Sequence, residues 1–307
     1  MKTTDELVEL LRVLGDPTRL RLLVSLRRGE LTVGELTRVT GLSQPRVSRH
    51  LKLLCDVHVL RRTRDQNEVY YRATVDEDRN RLVTEALNCL PGDDPDIAQD
   101  RLRLIEILDD RQTRAQELLG ELGVTPLDEM AINEVGTTIK RLLHGRLSEA
   151  QPLGDLLDVG TGTGSMLRLL APRANRAVAV DRSREMRLVA RARVSFEGLT
   201  NCTVRDGDMY NLSFPQQSFD IVTMDRVLGT ADRPHVALTQ AASVLKDNGH
   251  LLIIEGADSP INEEYLDSLA TGAGLADIEV SQSNNDAVLV ALATRSTAAT
   301  ELPNNEH

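Results

Sequence analysis

The chain has 307 residues, a net charge of −11 and 41% hydrophobic residues, enough length and apolar material for two ordinary cores. No run of about eighteen apolar residues occurs, so no membrane span is expected. The acidic, amphipathic start MKTTDELVELLRVLGD lacks the pattern of a secretory leader, which makes the cytoplasm the expected compartment.

Cys55, Cys89 and Cys202 are odd in number and widely spaced, so they read as free thiols rather than a disulfide framework. The charge is uneven. Residues 1–90 carry 16 Lys and Arg against 13 Asp and Glu, whereas the remainder carries 20 against 34. A polyanion therefore fits the N-terminal part, and a small molecule fits the acidic remainder.

In chain order, Asp5 to Leu14 has helical apolar spacing and is stopped by Gly15-Asp16-Pro17. Thr18 to Leu26 predicts a second helix, and Thr32 to Thr40 a third, ended by Gly41. Ser43 is placed to cap a fourth, QPRVSRHLKLL, with proline in its first turn. Val47, Leu51 and Leu54 form its buried stripe, leaving Gln44, Arg46, Ser48, Arg49 and Lys52 outward. Val57 to Arg64 and Glu68 to Ala73 alternate around Asp65-Gln66-Asn67, as a hairpin carrying Arg61, Arg62, Arg64 and Arg72. A capped helix entered through a tight turn and followed by a basic hairpin has the form of a winged helix-turn-helix.

The stretches LGDPTRLRLLVSL, GELTRVTGLSQPRVSRHLKLL and VYYRA resemble the winged helices of the ArsR (SmtB-like) repressors over about residues 5–90. The resemblance implies a homodimer on double-stranded operator DNA. Gln44, Arg46, Ser48 and Arg49 would read base edges, while His50, Lys52, Arg62, Arg64 and the other hairpin arginines would hold phosphates. The helices at residues 5–14 and 76–90 would form the dimer contact. Metal-sensing members carry Cys-x-Cys where this chain has Thr32 and Gly34, and Cys89 stands alone on the later helix. No metal ligand set is expected, and a metal-responsive repressor with an idle second domain is the least favoured reading.

Residues 91–152 read as a helical linking region: a turn-rich PGDDPD, then helical stretches from Ile97 to Leu122 and from Leu127 to Leu147, which could bury the glycine loop that follows or bridge the two halves. Next comes LGDLLDVGTGTG. Leu156, Leu157 and Val159 predict a buried strand, while Gly160, Gly162 and Gly164 free the turn so that backbone N–H groups can approach a ligand, with a helix from Ser165 to Ala171 behind it. AVAVD ends a second strand on Asp181, an acid placed to accept ribose hydroxyls. Cys202 to Arg205, Phe219 to Met224 and His250 to Glu255 predict further strands, the last after a turn at Lys246-Asp247-Asn248-Gly249.

LLDVGTGTG, AVAVD, RDGDM, NLSFPQQSFDIV and VLKDNGHLLIIE, in that order, resemble the class I S-adenosylmethionine-dependent methyltransferases over residues 153–294. The resemblance implies a Rossmann-like seven-stranded sheet whose last strand, Ala287 to Ala293, is antiparallel. It also implies cofactor contacts at Asp158, Gly160, Gly162, Asp181, Asp208 and Met209, with Thr161, Gly164, Arg182 and Asp225 beside them. The fold expected is thus α/β, an N-terminal winged helix (1–90) and a C-terminal methyltransferase-like domain (153–294) joined by helices, with a polar tail at 295–307.

The acceptor side carries fewer signals. After Val227-Leu228 stand Gly229 and Thr230, where catalytic relatives carry histidine or an aromatic, and no catalytic residue can be assigned. The leading reading is a repressor whose methyltransferase-like domain senses S-adenosylmethionine or S-adenosylhomocysteine. The alternative is an active small-molecule methyltransferase with an attached, self-regulating DNA-binding domain.

Overall fold

The computed structural model describes residues 3–74, 77–123, 126–148, 151–282 and 288–296. The chain divides into two compact units, residues 1–117 with 191–201, and residues 118–190 with 202–307.

In the first unit, α1 (Thr4–Leu14) starts where the Thr3 hydroxyl accepts from the Glu6 amide, and α2 (Pro17–Leu26) where the Asp16 carboxylate accepts from the Arg19 amide. A two-residue strand, β1 (Leu31–Thr32), leads into α3 (Val33–Thr40), which opens on a reciprocal Thr32–Glu35 capping box and closes on left-handed Gly41. Three residues later comes α4 (Gln44–Asp56). Ser43 sits at its cap but makes no side-chain cap bond, contrary to the sequence reading. Pro45 in the first turn removes one of the donors such a cap would serve.

The chain turns through His58 at φ +56° into β2 (Leu60–Asp65) and β3 (Glu68–Ala73), so the first hairpin strand begins three residues later than its alternation predicted. The sheet order is β1-β3-β2. Leu22, Leu36, Val47, Leu51 and Leu54 are fully buried, the last three being the stripe read from the sequence.

After α5 (Glu77–Asn88) comes α6 (Pro95–Glu121), which contributes Leu104 and Ile107 to this core. Arg21 clasps it with two 2.7 Å bonds to Asp100, and Arg111 returns two 2.6 Å bonds to Glu35. This first linking helix is therefore a working part of the N-terminal unit. Its ion pairs tie it to α2 and α3.

The second unit is built on one sheet. After α7 (Pro126–Arg146) come β4 (Asp155–Val159), α8 (Ser165–Leu170), β5 (Arg176–Asp181), α9 (Arg184–Phe196), β6 (Cys202–Asp206), β7 (Phe219–Asp225), α10 (Pro234–Val244), β8 (Leu245–Gly256), α11 (Glu263–Gly272), β9 (Leu275–Gln282) and β10 (Val288–Arg295). The order is β6-β5-β4-β7-β8-β10-β9, parallel except for β10, which runs antiparallel to both neighbours and separates β8 from β9. Leu156, Leu157, Ile221, Val222, Leu251 and Leu252 are fully buried, as continuous apolar strands covered on both faces require.

The last strand spans Val288 to Arg295, whereas Ala287 and the tail at 297–307 lie outside the described residues. The predicted turn at Lys246 to Gly249 is absorbed into β8 as an irregularity of its pairing with β7, with Asn248 at φ +61°. The second linking helix, α7, packs at the β10–β9 end of the sheet, where Arg146 donates to Thr294 Oγ1 at 2.6 Å and Arg141 to Ser281 Oγ at 2.6 Å.

Candidate ligand crevice and nucleic-acid interface

The crevice is made by the turn after β4. Gly160 adopts φ +68°, and a β-carbon there would lie 2.6 Å from Val227 Cγ2, so only glycine fits. The Gly160 and Thr161 amides both donate to Val180 O, at 2.8 and 3.0 Å, and the Gly162 amide donates to Asp181 Oδ2 at 2.9 Å. The other Asp181 oxygen accepts from the Ser183 amide at 2.8 Å. Asp181 thus holds the loop in shape, and each oxygen keeps lone-pair capacity for a further donor.

A cavity of about 480 Å³ opens against this loop. Of the sequence-predicted residues, Gly160, Thr161, Gly162, Asp181, Arg182, Met209 and Asp225 line it. Gly123, Thr163, Ser165, Met186, Gly207, Arg226, Val227 and Thr230 complete the lining, beyond the residues predicted as cofactor contacts. Met186 could have been found, since it sits on the helix that leaves Asp181.

Asp158, Gly164 and Asp208 lie outside that lining. Asp158 is buried behind the loop, where its two oxygens accept from Thr161 Oγ1 and Thr223 Oγ1, both at 2.6 Å. Burial pushes its pKa up to about 6, the two hydroxyls opposing the shift. It braces the turn from inside, behind the residues that line the cavity. Asp208 Oδ1 accepts from the Tyr210 amide and so shapes the following turn. Gly164 instead makes room for a neighbouring helix.

A second cavity, of about 580 Å³, shares Asp225, Arg226 and Thr230 with the first and continues to Gly229, Ile254, Asp258, Ser259 and Pro260. Arg226, at φ +55°, pairs with Asp225 at 3.1 Å. A non-glycine residue in that conformation stores strain of the kind that collects at binding sites.

Buried Glu255 underlies the boundary between the cavities, accepting from the Leu228 and Gly229 amides at 2.9 and 3.2 Å and from Ser259 Oγ at 2.8 Å. Burial raises its pKa. A β-carbon on Gly229 would fall 2.3 Å from Ser259 Oγ, which explains why no histidine or aromatic stands there.

In the other unit, α4 exposes Gln44, Arg46, Arg49 and Lys52, with Ser48 half-buried on the same helix, and the hairpin exposes Arg61, Arg62 and Arg64. Arg64 Nε donates to Gln66 O at 3.0 Å, tying the hairpin tip. Two predicted phosphate contacts change role. His50 turns toward Asp16, with Nδ1 3.8 Å from its carboxylate, and burial lowers its pKa, so at neutral pH it offers no cation. Arg72 is 9% exposed and lies on the inner face of β3, the face of Tyr70, because residues two apart on a strand share a side.

Among the described residues no group of three or more histidine, cysteine or acidic side chains is placed to hold a metal, and no helix is long and apolar enough to cross a membrane.

Comparison with known proteins agrees with both halves. Residues 16–57 match the family description "Bacterial regulatory protein, arsR family", and residues 157–253 match "Methyltransferase domain". The "Probable mercury resistance operon repressor" of Streptomyces lividans is 38% identical over 89 residues, 29% of this chain and 70% of that protein. The chain belongs to the arsR family of bacterial regulatory proteins.

A biofilm growth-associated repressor of Agrobacterium fabrum is 34% identical to this arsR-family chain over 86 residues, 28% of the chain and 72% of that protein. The uncharacterized methyltransferase YcgJ of Bacillus subtilis is 28% identical over 116 residues, 37% of the chain and 46% of that protein, so the arsR-family chain spans about half the length of this relative.

Proposed function

We propose that this arsR-family regulator binds operator DNA through α4 and the β2–β3 hairpin, as a homodimer, and that its methyltransferase domain takes S-adenosylmethionine or S-adenosylhomocysteine as an effector. The observation that carries the reading is the glycine turn pinned to Asp181 over a cavity of about 480 Å³, in a chain that also exposes a basic recognition helix.

The residues suit such a ligand. The volume is that of a small-molecule site. The Asp181 carboxylate has capacity for sugar hydroxyls, the apolar side chains of Met186 and Met209 can flank a purine, and Asp225 offers a carboxylate at the far end. When bound, the sulfonium form supplies an electrophilic methyl group. What this chain's residues contribute is an enclosed, oriented seat. Exposed Val8 and Leu11 on α1 support a self-association face there.

The test has two steps. Calorimetry with each adenosyl form should show binding, and affinity for a duplex selected from random sequence by the protein should change by about 5- to 150-fold on ligand addition, the usual range of coupling between sites. Indifference to both forms at millimolar concentration overturns the reading.

The second cavity favours one other reading, an active methyltransferase whose acceptor sits beside the crevice. That cavity is lined by Asp225 and Asp258, whose carboxylates could take an acceptor proton. Methyl transfer to a screened metabolite, lost in Asp181→Ala, would decide for the enzyme.

A further inference from the structure

α9 carries two buried arginines one turn apart, and the adenosyl-sensing reading above does not use them. Arg187, with no exposed surface, donates from one guanidinium nitrogen to Asp181 O at 2.9 Å and Arg182 O at 3.0 Å, and meets Asp206 Oδ1 at 3.0 Å. These are the ends of β5 and β6, and Asp181 and Arg182 themselves line the crevice. The same helix puts Met186 into that lining and presses Ala190 against the glycine turn, where a β-carbon on Gly164 would stand 3.3 Å from Ala190 Cα. The N-terminal two turns of α9 are therefore part of the crevice wall.

The next residue, Arg191, belongs to the first unit. Its Nε donates to Glu30 Oε1 at 2.9 Å, its guanidinium reaches Asp65 Oδ2 at 2.6 Å, and its Cζ lies 4.0 Å over the Tyr70 ring. Glu30 and Asp65 are 4% and 6% exposed, and Glu30 Oε2 is buried without a hydrogen-bond partner. Asp65 ends β2 beside the turn and Tyr70 lies on β3, so the charge cluster grips the tip half of the basic hairpin.

A buried ion cluster is a poor source of stability, because apolar side chains of the same volume usually do as well. Its attested use is to fix one register among alternatives. Arg187 and Arg191, four positions apart, face the same side about 6 Å along the axis.

We infer that α9 is the element that transmits occupancy of the glycine crevice to the DNA-contacting hairpin, with Arg191 as the positioning residue that couples the helix to Glu30, Asp65 and Tyr70. The inference rests on the effector reading of the crevice. A ligand that shifts the Asp181–Arg182 turn moves a helix whose next turn is clamped to the hairpin by charge, and a clamp of this kind has a discrete broken state rather than a continuous range of slack.

The experiment compares full-length wild type, Arg191→Lys and Glu30→Gln. Arg191→Lys keeps the charge but loses the fork that serves two carboxylates, and Glu30→Gln removes a carboxylate while keeping an acceptor. S-adenosylmethionine and S-adenosylhomocysteine are the probes.

In wild type, ligand should change amide hydrogen exchange in residues 60–73. In both variants ligand affinity should stay within about threefold, while the ligand effect on duplex affinity falls from at least fivefold to under twofold. A folded Arg191→Lys variant that keeps the full ligand effect overturns the inference and leaves the effector reading standing. Wild type that binds ligand with no change at residues 60–73 overturns the inference whatever the variants do. Wild type that binds ligand with no change in duplex affinity overturns both.

Discussion

The recognition helix and the glycine crevice solve the problem of meeting a ligand in opposite ways. On α4, long exposed side chains are offered for contact, while Val47, Leu51 and Leu54 tie the helix to the core. In the crevice, side chains are removed so that backbone forms the wall, its Gly160, Thr161 and Gly162 amides bonded to Val180 O and Asp181, and the shape is held by Asp158 and Asp181 from behind. Surface charge can therefore be changed in the first without touching the fold. In the second, the contact and the fold are the same atoms.

That difference predicts unequal consequences. The largest belongs to Gly160→Ala, whose β-carbon meets Val227 from a left-handed backbone. Adenosyl affinity should fall by more than about 100-fold together with a loss of at least 2 kcal/mol in stability, read by calorimetry and denaturant titration. A variant that lost one without the other would break the comparison.

Arg46→Ala should do the reverse, leaving the denaturant midpoint in place while weakening the selected duplex by about 1–3 kcal/mol and relaxing preference at one base pair. Competition among single-base variants of the duplex checks it.

Next is Asp158. Its folded pKa is raised from the ordinary 3.8 to about 6, so its contribution to stability is full below pH 4 and is lost as pH rises through 6. Between pH 5 and 7 the wild-type protein should lose about 1–2 kcal/mol from this group, and Asp158→Asn should flatten that slope. Unfolding measured at the two pH values decides.

Arg64→Ala should weaken all duplexes alike, by about threefold, and reduce the salt dependence of binding by about one counterion. The smallest effect is that of His50→Gln, under about twofold at pH 7.5, because the neutral ring faces Asp16.

The legibility of the sequence follows the range of the interactions. The helix-turn-helix, the strand and glycine turn, and Asp181 were readable because caps, periodicity and turn residues act within a few positions. The stripe on α4 and the parallel strands came out as their patterns predict.

What escaped is what depends on distant chain. Arg191 reads as a solvated residue of a charged helix, and its partner Glu30 is 161 positions away. Arg72 alternates correctly with its hairpin neighbours, but nothing local says that the inner face of β3 meets charge. Asp158 was rightly located at the turn, yet only the hydroxyl of Thr223 on the adjacent strand shows that it faces inward. Gly229 looked like an erosion of the acceptor side until Ser259 and Glu255 accounted for it.

The place of β10 bears on how the molecule is made. Because the strand at residues 288–295 separates β8 from β9, a nascent chain that has released every earlier strand still holds Leu251 to Ile254 as an unpaired, strongly apolar border. Such borders recruit other chains. Synthesis stalled or cut short before residue 288 should therefore yield insoluble material and not a slightly weaker regulator, so supply of the working protein hangs on the strand at residues 288–295.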